Sequence, residues 1–452
     1  MNHENYRQFV HPLALVTLLF ALVSAASAEW RESVLYSFQA GTDTYSPIGK
    51  VVFDQAGNLY GATQFGPEQG AVYQLARPAK AGDPWTETIL YTFKGNTLND
   101  GQRPLGGLVI DKKGNLFGVN GYGGTGPCIL LGILEGCGAV YEISPPAQEG
   151  GAWTEKLIYS FLGGSDGDLP TGDLMWDEQG NLYGATQYGG GFGTCNTYVG
   201  YCGTVFKLTP PQAADGTWTE EVLYRFEGDN DGANPNGGLI FDKAGTIYGT
   251  TIVGGGSSPL CDSIGFIGCG TVFQLKPPAK QGGTWTESLL HRFRGRPTDG
   301  SGPNGNLVLQ SGNLYGTTIG GGKWEGGLIF KLAPPSQPGG RWTETFIREF
   351  SLGGGPGYEP SVGLVQDCLG NLYATLAGGG ANYAGAIIRL DPPPLDGKWT
   401  LQPLYVFAGV PDGAGPQELT FGKDGTIYGT TGYGGTCTTF YGGCGTVFKM
   451  VQ

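Results

Sequence analysis

Short runs that mix β-branched, aromatic and small residues recur along the whole chain. A typical unit, residues 235–293, contains PNGGLIFD, then GTIYGTT, then GTVFQL and finally WTESLLHRF. Each run is bounded by Gly, Pro, Asn or Asp, which is typical of strands joined by turns. No stretch shows a convincing helical periodicity. The pattern therefore predicts an all-β protein with four strands in each unit.

The unit occurs seven times. A W-T-E motif, degenerate in its first and last copies, marks the repeats at Trp30, Trp85, Trp153, Trp218, Trp285, Trp342 and Trp399. Four-stranded units repeated in this way are the signature of a β-propeller, in which radial repetition leaves only short strand edges. We therefore predict a seven-bladed β-propeller with four antiparallel strands per blade.

The order of the runs predicts how the ring closes. The first run is small and glycine-rich, which suits a crowded innermost strand, whereas the W-T-E run is bulky and suits the outer edge. On this phase the chain begins with an outer strand, residues 30–38, and ends with a third strand, residues 445–450. We predict that the N-terminal strand pairs into the C-terminal blade and closes the ring.

The same phase assigns the loops to two faces. Loops between second and third strands, such as the one that holds Cys261 and Cys269, share a face with the D-G-x-x-P turns. We call this the loop face. The opposite, plain face carries the short D-x-x-G-N turns. Binding residues concentrate in loops on a rigid scaffold, so function is expected on the loop face.

The first 28 residues have the order of a secretory signal peptide. Arg7 precedes an apolar run, residues 13–23, and Ala26-Ser27-Ala28 follows. This order predicts cleavage after Ala28, and the apolar run is shorter than the roughly 20 residues that span a bilayer. We expect residues 29–452 to form a single propeller domain, secreted to the periplasm or the exterior.

Composition narrows the partners. The formal net charge is −13, which disfavours binding to nucleic acid and to anionic membranes. No segment after the signal peptide is long or apolar enough to insert into a membrane. We expect a monomer whose partner is a glycan or an extracellular protein.

Eight of the nine cysteines pair by position, each pair lying between the second and third strands of its repeat. The predicted disulfides are Cys128–Cys137, Cys195–Cys202, Cys261–Cys269 and Cys437–Cys444. Two thiols per loop, with no histidine nearby, are too few for a structural metal site, so disulfides in an exported chain are favoured. Cys368 is left over and is predicted to be a free, partly buried thiol.

Histidine is nearly absent from the mature chain. Only His291 remains, at a position where other repeats carry tyrosine, and it is predicted to be a surface or edge packing residue. This disfavours histidine-based nucleophilic catalysis and multi-histidine metal sites. No catalytic residue, metal site or cofactor is predicted from this pattern.

A ring of aspartates precedes the inner strands. They are Asp43, Asp100, Asp166, Asp231, Asp299 and Asp412. Near-identical positions favour turn capping through backbone N–H groups over catalysis, which needs an asymmetric acid pair. Calcium bound to these oxygens is the alternative.

Aromatic residues in the loop-face loops differ between repeats, unlike the scaffold residues. The candidate ligand-binding residues are Tyr122, Tyr188, Tyr198, Tyr201, Trp324, Tyr433 and Tyr441. Their flat apolar faces and polar atoms suit sugar rings or protein partners. Alternatively, they fold back over their own disulfides.

The motifs G-N-L-Y-G-T-T-x-x-G-G and G-T-V-F-K-L-x-P-P resemble the GloVer tandem repeat of bacterial extracellular proteins, over essentially the whole mature chain. The resemblance implies an exported, propeller-like protein and carries no settled activity. We therefore predict a binding or interaction propeller whose ligand, a glycan or a protein, lies on the disulfide-stapled loop face. The alternatives are a carboxylate-based carbohydrate-active enzyme and a structural envelope protein.

Overall fold

The computed structural model describes most of the chain after residue 28. It covers residues 29–452 except 42, 81, 96–99, 131–132, 149, 192–201, 214–215, 229, 262–267, 281, 338, 381, 395–396 and 438–441. The predicted signal peptide, residues 1–28, lies outside the described residues and stays a prediction. The described part contains no helix long and apolar enough to cross a membrane.

Seven four-stranded antiparallel sheets form the blades, numbered 1–7 in chain order. The inner strands are Tyr45–Phe53, Gly101–Pro104 with Val109–Ile110, Asp168–Trp176, Ala233–Pro235 with Ile240–Phe241, Gly300–Gln310, Leu364–Gln366 and Gly413–Phe421. The second strands are Leu59–Phe65, Leu116–Gly123, Leu182–Tyr188, Ile247–Val253, Asn313–Gly321, Leu372–Leu376 and Ile427–Gly434.

The two remaining positions complete each blade. The third strands are Ala71–Ala76, Ala139–Ser144, Thr204–Thr209, Thr271–Lys276, Glu325–Ala333, Ala386–Asp391 and Thr446–Val451. The outer strands of blades 1–7 are Thr86–Thr92, Thr154–Ser160, Thr219–Arg225, Thr286–Arg292, Thr343–Ser351, Thr400–Val406 and Arg31–Ser37. A small hairpin, Ile129–Leu130 with Ile133–Leu134, extends from blade 2. The predicted seven-bladed propeller is confirmed.

The two ends of the chain share blade 7. Arg31–Ser37 pairs antiparallel with Thr446–Val451, so that Arg31 lies opposite Val451 and Ser37 opposite Thr446. The predicted closure by the N-terminal strand is therefore confirmed. The outer strand of blade 7 comes from the start of the chain, which ties the ring at its seam.

Glycines allow the inner strands to approach one another around the axis. A Cβ on Gly106 would overlap the backbone of Gly172, and a Cβ on Gly172 would overlap that of Gly237. Gly172 also has a φ of 73°, a conformation that residues with a side chain rarely adopt. The small, glycine-rich first run of each repeat is thus explained by contact between neighbouring blades.

Aromatic pairs fill the space between blades. The phenylalanine that follows an outer strand packs against a third-strand aromatic of the next blade, as in Phe93 with Tyr141 and Phe161 with Phe206. Their ring centroids lie 4.8 and 5.1 Å apart. Such pairs contribute about 0.5–1.5 kcal/mol beyond the burial of their surface. The same contact recurs at six of the seven boundaries.

Disulfides staple the loop face. Cys128–Cys137, Cys261–Cys269 and Cys437–Cys444 are formed, which confirms three of the four predicted pairs. Cys202 is also disulfide-bonded, and its predicted partner, Cys195, lies outside the described residues. A Cβ on Gly163 would contact both sulfurs of the Cys128–Cys137 bond, so the staple packs against the loop that leads to the next blade.

The free cysteine differs from the prediction. Cys368 is exposed rather than partly buried. It lies in a plain-face turn in which Asp367 accepts hydrogen bonds from the backbone N–H groups of Leu369 and Asn371. Those bonds hold the backbone of the turn around Asp367 and leave the thiol at its outer side.

Loss of one staple should be measurable. The double variant Cys261→Ser/Cys269→Ser is expected to lower the free energy of unfolding by about 2–3 kcal/mol, because the bond closes a short loop. Urea unfolding monitored by tryptophan fluorescence measures the change. Cys368→Ser is the matched control and should leave the midpoint unchanged. Equal midpoints for the double variant and the native protein would contradict a stabilising role.

Candidate functional site

Four consecutive blades place an aromatic residue at one equivalent position on the loop face. Phe65, Tyr122, Tyr188 and Tyr433 occupy corresponding positions near the ends of the second strands of blades 1, 2, 3 and 7. We call these four residues the aromatic arc. Blades 4, 5 and 6 carry Val253, Gly320 and Gly378 in the corresponding positions. The arc therefore covers about half of the ring.

Arg103 links two members of the arc. Its guanidinium carbon lies 5.8 Å from the ring centroid of Phe65 and 5.5 Å from that of Tyr122. Phe65 in turn stacks on Tyr45, with ring centroids 5.3 Å apart. Cation–π contacts of this kind contribute about 0.5–1 kcal/mol at exposed sites. The arc is thus a connected surface across blades 1 and 2.

Polar groups border the aromatic rings. The side-chain amide of Gln102, which lies opposite Tyr122, donates a hydrogen bond of 2.8 Å to Glu135. Asp168 lies opposite Tyr188, and burial raises the pKa of its carboxyl to about 6. Rings interspersed with amide, carboxyl and guanidinium groups suit a ligand that presents both C–H and hydroxyl groups.

The residue before each inner-strand proline has a strained backbone. All seven have a φ between 53° and 62°. They are Ser46, Arg103, Leu169, Asn234, Gly302, Glu359 and Gly415. Five of them have side chains, which rarely occupy this conformation, and such strain concentrates at functional sites. A backbone position that is uniform in conformation but variable in side chain fits a recognition surface. Arg103 was not predicted, and this variable position before the proline is the signal that marks it.

The other predicted residues are placed as follows. Trp324 is exposed, and Lys323 Nζ lies 4.7 Å from the centroid of its ring. Because Trp324 lies in blade 5, blades 4 and 6 separate it from the arc. Tyr198, Tyr201 and Tyr441 lie outside the described residues. Tyr122, Tyr188 and Tyr433 belong to the arc.

A second group of polar residues meets at the axis. Its members lie at the position of the second glycine of the P-x-G-G-L motif. In blades 1, 3, 5 and 7 this position holds Lys50, Asp173, Asn306 and Glu418. Lys50 Nζ lies 2.6 Å from Asp173 Oδ2, and the amide of Asn306 donates to Glu418 Oε1 at 3.2 Å. We call these four residues the axial cluster. The sequence prediction missed them, although each is a departure from glycine at one repeat position.

The two carboxyl groups of the axial cluster titrate differently. Burial opposes ionisation of Asp173, but Lys50 outweighs it and lowers the pKa of that carboxyl. Burial and the charge of Asp173 raise the pKa of Glu418 well above its usual range. Lys50 is the ion-pair partner of Asp173 Oδ2, whereas Glu418 Oε2 is buried without a hydrogen-bond partner among the described residues. A proton on Glu418 Oε2, shared with Asp173, would satisfy this atom.

A small cavity lies beside the axial cluster. Its volume is about 110 Å³, and Lys50, Asn306, Thr375 and Glu418 contribute polar atoms to its wall. Ligand pockets usually measure about 300–1,000 Å³. The cavity therefore has room for water but not for a sugar residue. The contacts within the axial cluster join blade 1 to blade 3 and blade 5 to blade 7.

The aspartate ring caps turns, as predicted. Asp100 accepts hydrogen bonds from the backbone N–H groups of Lys94 at 2.8 Å and Gly101 at 2.6 Å. The hydroxyl of Tyr91 donates to the same carboxyl at 2.9 Å. Equivalent backbone bonds hold Asp43, Asp166, Asp231, Asp299 and Asp412.

A glutamate of the next W-T-E motif approaches each of these aspartates. Burial, followed by the aspartate charge, raises the pKa to about 7 for five of these glutamates, Glu32, Glu87, Glu155, Glu220 and Glu287. One oxygen of each is buried and has no hydrogen-bond partner among the described residues. At the boundary of blades 5 and 6 the tyrosine, aspartate and glutamate positions hold Arg348, Pro356 and Leu401. The three residues change together, so they form one structural unit, the boundary triad.

His291 occupies the tyrosine position of one boundary triad. His291 lies in an outer strand and packs against Phe293, as an edge packing residue would, but it is not a surface residue, because its side chain is only 18% exposed and faces two carboxylates. Its Nε2 lies 3.4 Å from Asp299 and 3.5 Å from Glu344. Burial opposes protonation, but the two carboxylates outweigh it and raise the pKa of the imidazole. Glu344 belongs to the next repeat, which is why the sequence did not show this contact.

The sequence matches one family over almost its full length. The sequence profile of the Gloeobacter/Verrucomicrobia repeat matches residues 19–260 and 259–452. The chain belongs to this family. No curated protein matches it.

The solved structures that resemble this Gloeobacter/Verrucomicrobia repeat protein have low sequence identity to it. An ulvan lyase of polysaccharide lyase family 25, bound to GlcA(1-4)Rha3S, matches with a TM-score of 0.53 and 10% identity, covering 92% of this chain and 95% of that chain. A PQQ-bound aldose sugar dehydrogenase from Streptomyces coelicolor matches with a TM-score of 0.44 and 13% identity, covering 94% and 98%. At 10% identity, the match to the ulvan lyase shows a shared fold alone.

Proposed function

We propose that this protein is an exported glycan-binding propeller and that its ligand lies across the aromatic arc. The observation that carries the proposal is the position of Arg103 between Phe65 and Tyr122, with Gln102 and Glu135 beside them. Aromatic faces stack on the C–H faces of sugar rings, and the adjacent polar groups bind hydroxyls. Stapled loops supply a surface that is ordered before the ligand arrives.

Charge selects the kind of glycan. The formal net charge of −13 repels polyanions at long range. Arg103 is the cation that contacts the arc, and it already interacts with the rings of Phe65 and Tyr122. The favoured ligand is therefore a neutral polysaccharide or oligosaccharide.

The disulfides support an extracytoplasmic location for this function. Bonds of this kind persist in oxidising compartments such as the periplasm and the exterior. We propose that residues 1–28 direct export and are removed near Ala28. Mass spectrometry of the protein recovered from the periplasm or the medium would test the cleavage site.

Affinity electrophoresis and calorimetry with a panel of neutral polysaccharides test the binding proposal. Tyr122→Ala and Tyr433→Ala are each expected to weaken binding about 5- to 100-fold, since stacked aromatic residues contribute roughly 1–3 kcal/mol. Trp324→Ala, which removes an exposed aromatic residue outside the arc, is the matched control and should bind like the native protein. The proposal would be contradicted if the arc variants bound with the same affinity as the native protein. It would also be contradicted if the native protein bound a protein ligand and none of the polysaccharides.

One observation favours a second candidate, a carboxylate-based carbohydrate-active enzyme. Asp173 and Glu418 are an acid pair with separated pKa values near the axis, which is the asymmetry that such chemistry needs. The adjacent cavity is too small for a sugar residue, so binding is the function proposed first. Release of reducing or unsaturated ends from the same polysaccharides, abolished in Glu418→Gln, would support the enzyme.

A further inference from the structure

A groove of about 700 Å³ opens at the boundary of blades 4 and 5, away from the aromatic arc. His291 and Glu344 lie in its wall together with Arg292, Arg294 and Arg341. No ion pair among the described residues involves these three arginines. The groove therefore combines a cluster of metal-binding side chains with three arginines.

The boundary triad in this groove differs from the other five. Elsewhere a tyrosine hydroxyl bonds directly to the aspartate, as Tyr159 does to Asp166 at 2.7 Å. His291 Nε2 lies 3.4 Å from Asp299 and 3.5 Å from Glu344, which is long for an N–H···O hydrogen bond. His291 Nε2 and Glu344 Oε1 are buried and have no hydrogen-bond partner among the described residues.

We propose that His291, Asp299 and Glu344 bind a divalent transition-metal ion, with Zn²⁺ as the best match. One ligand atom from each residue lies within 4.8 Å of the others. Tetrahedral bonds of about 2.0–2.1 Å place ligand atoms roughly 3.4 Å apart, and the distances from His291 Nε2 to the two carboxylates are 3.4 and 3.5 Å. One imidazole and two carboxylates are nitrogen and oxygen ligands that zinc accepts in sites with an open position.

The surroundings hold the ligands in place. Backbone N–H groups of Arg294 and Gly300 donate to the two oxygens of Asp299, at 3.0 and 2.7 Å. Phe293 packs edge-on against the imidazole, with ring centroids 4.6 Å apart. Bonds and packing of this kind orient metal ligands before the ion binds. Three protein ligands leave one position of a tetrahedral site for water or a small anion.

Calorimetry and elemental analysis of the purified mature chain test the site. The native protein is expected to bind one equivalent of Zn²⁺ and to unfold at a higher temperature in its presence. His291→Tyr should lose that equivalent and the thermal shift. Because tyrosine fills this position at five other boundaries, this variant should fold. Glu344→Gln is a second variant that should weaken binding at least 10-fold.

Tyr224→Phe is the matched control, because it alters the equivalent position of a neighbouring triad. It should keep the zinc stoichiometry of the native protein. Zinc binding that is unchanged in His291→Tyr, or equal to that of a metal-free blank in the native protein, would overturn the site. The visible spectrum of the cobalt-loaded protein should change when sulfate is added, and an unchanged spectrum would contradict the open position.

Discussion

The protein is expected to be more stable at pH 5 than at pH 8. Five half-buried glutamates of the boundary triads, Glu32, Glu87, Glu155, Glu220 and Glu287, have their pKa raised from 4.5 to about 7. Between pH 4.5 and about 7 the folded protein therefore binds more protons than the unfolded chain. The free energy of unfolding falls as the pH rises through this range. Allowing for partial exposure to solvent, each carboxyl contributes on the order of 1 kcal/mol, or about 5 kcal/mol for the five.

Urea unfolding at a series of pH values measures this slope, and a glutamine variant identifies its source. Glu87→Gln mimics the protonated carboxyl, so it should raise the unfolding midpoint at pH 8 and change it little at pH 5. Glu68→Gln, on an exposed part of a blade 1 loop, should leave both midpoints unchanged. A midpoint that is flat or rises between pH 5 and pH 8 would show that the glutamates are ionised without cost.

Lys50→Met is expected to lower the free energy of unfolding by about 3–5 kcal/mol, because it leaves a buried carboxylate without its partner. Asp173 is only 5% exposed, and Lys50 supplies its counter-charge at 2.6 Å. Glu418→Gln, in contrast, should change stability by less than about 1 kcal/mol, since burial and the charge of Asp173 raise the pKa of this carboxyl and glutamine resembles the protonated form that they favour.

A double-mutant cycle separates charge from packing at the axis. Lys50→Met combined with Asp173→Asn should be more stable than Lys50→Met alone, because the orphaned charge is removed. Urea midpoints at pH 7 supply the four values of the cycle. A loss of less than about 1 kcal/mol in Lys50→Met would contradict a buried ion pair at the axis.

The fold follows from local patterns and their order. The position of Trp30 at the start of an outer strand was enough to predict pairing between Arg31–Ser37 and Thr446–Val451. Asp100 and its counterparts cap turns within a few residues of their partners, so their role is also visible in the sequence. These contacts are either local or repeated, and repetition makes a long-range contact predictable from any one copy.

The site residues depend on departures from the repeat, and their partners come from other repeats. Lys50 meets Asp173 across two blades, and His291 meets Glu344 of the next repeat. One copy of the motif contains no information about which side chains converge when seven copies form a ring. His291 nevertheless has a visible signal, because five other copies carry tyrosine at its position, and each axial residue replaces a glycine of the motif. Arg103 lies at a position that varies between copies, so it has a weaker signal.

Side chain and glycine alternate around the axis, with polar residues in blades 1, 3, 5 and 7 and glycine in blades 2, 4 and 6. Seven is odd, so the alternation has one fault, where Glu418 and Lys50 fall in adjacent blades at the seam of the chain. Deletion of a repeat that carries glycine at this position would bring two polar side chains into adjacent blades of a smaller ring. Deletion of the repeat that carries Lys50 would leave Asp173 without its counter-charge. The ion pair between Lys50 and Asp173 therefore links the charge balance at the axis to the copies that carry these two residues.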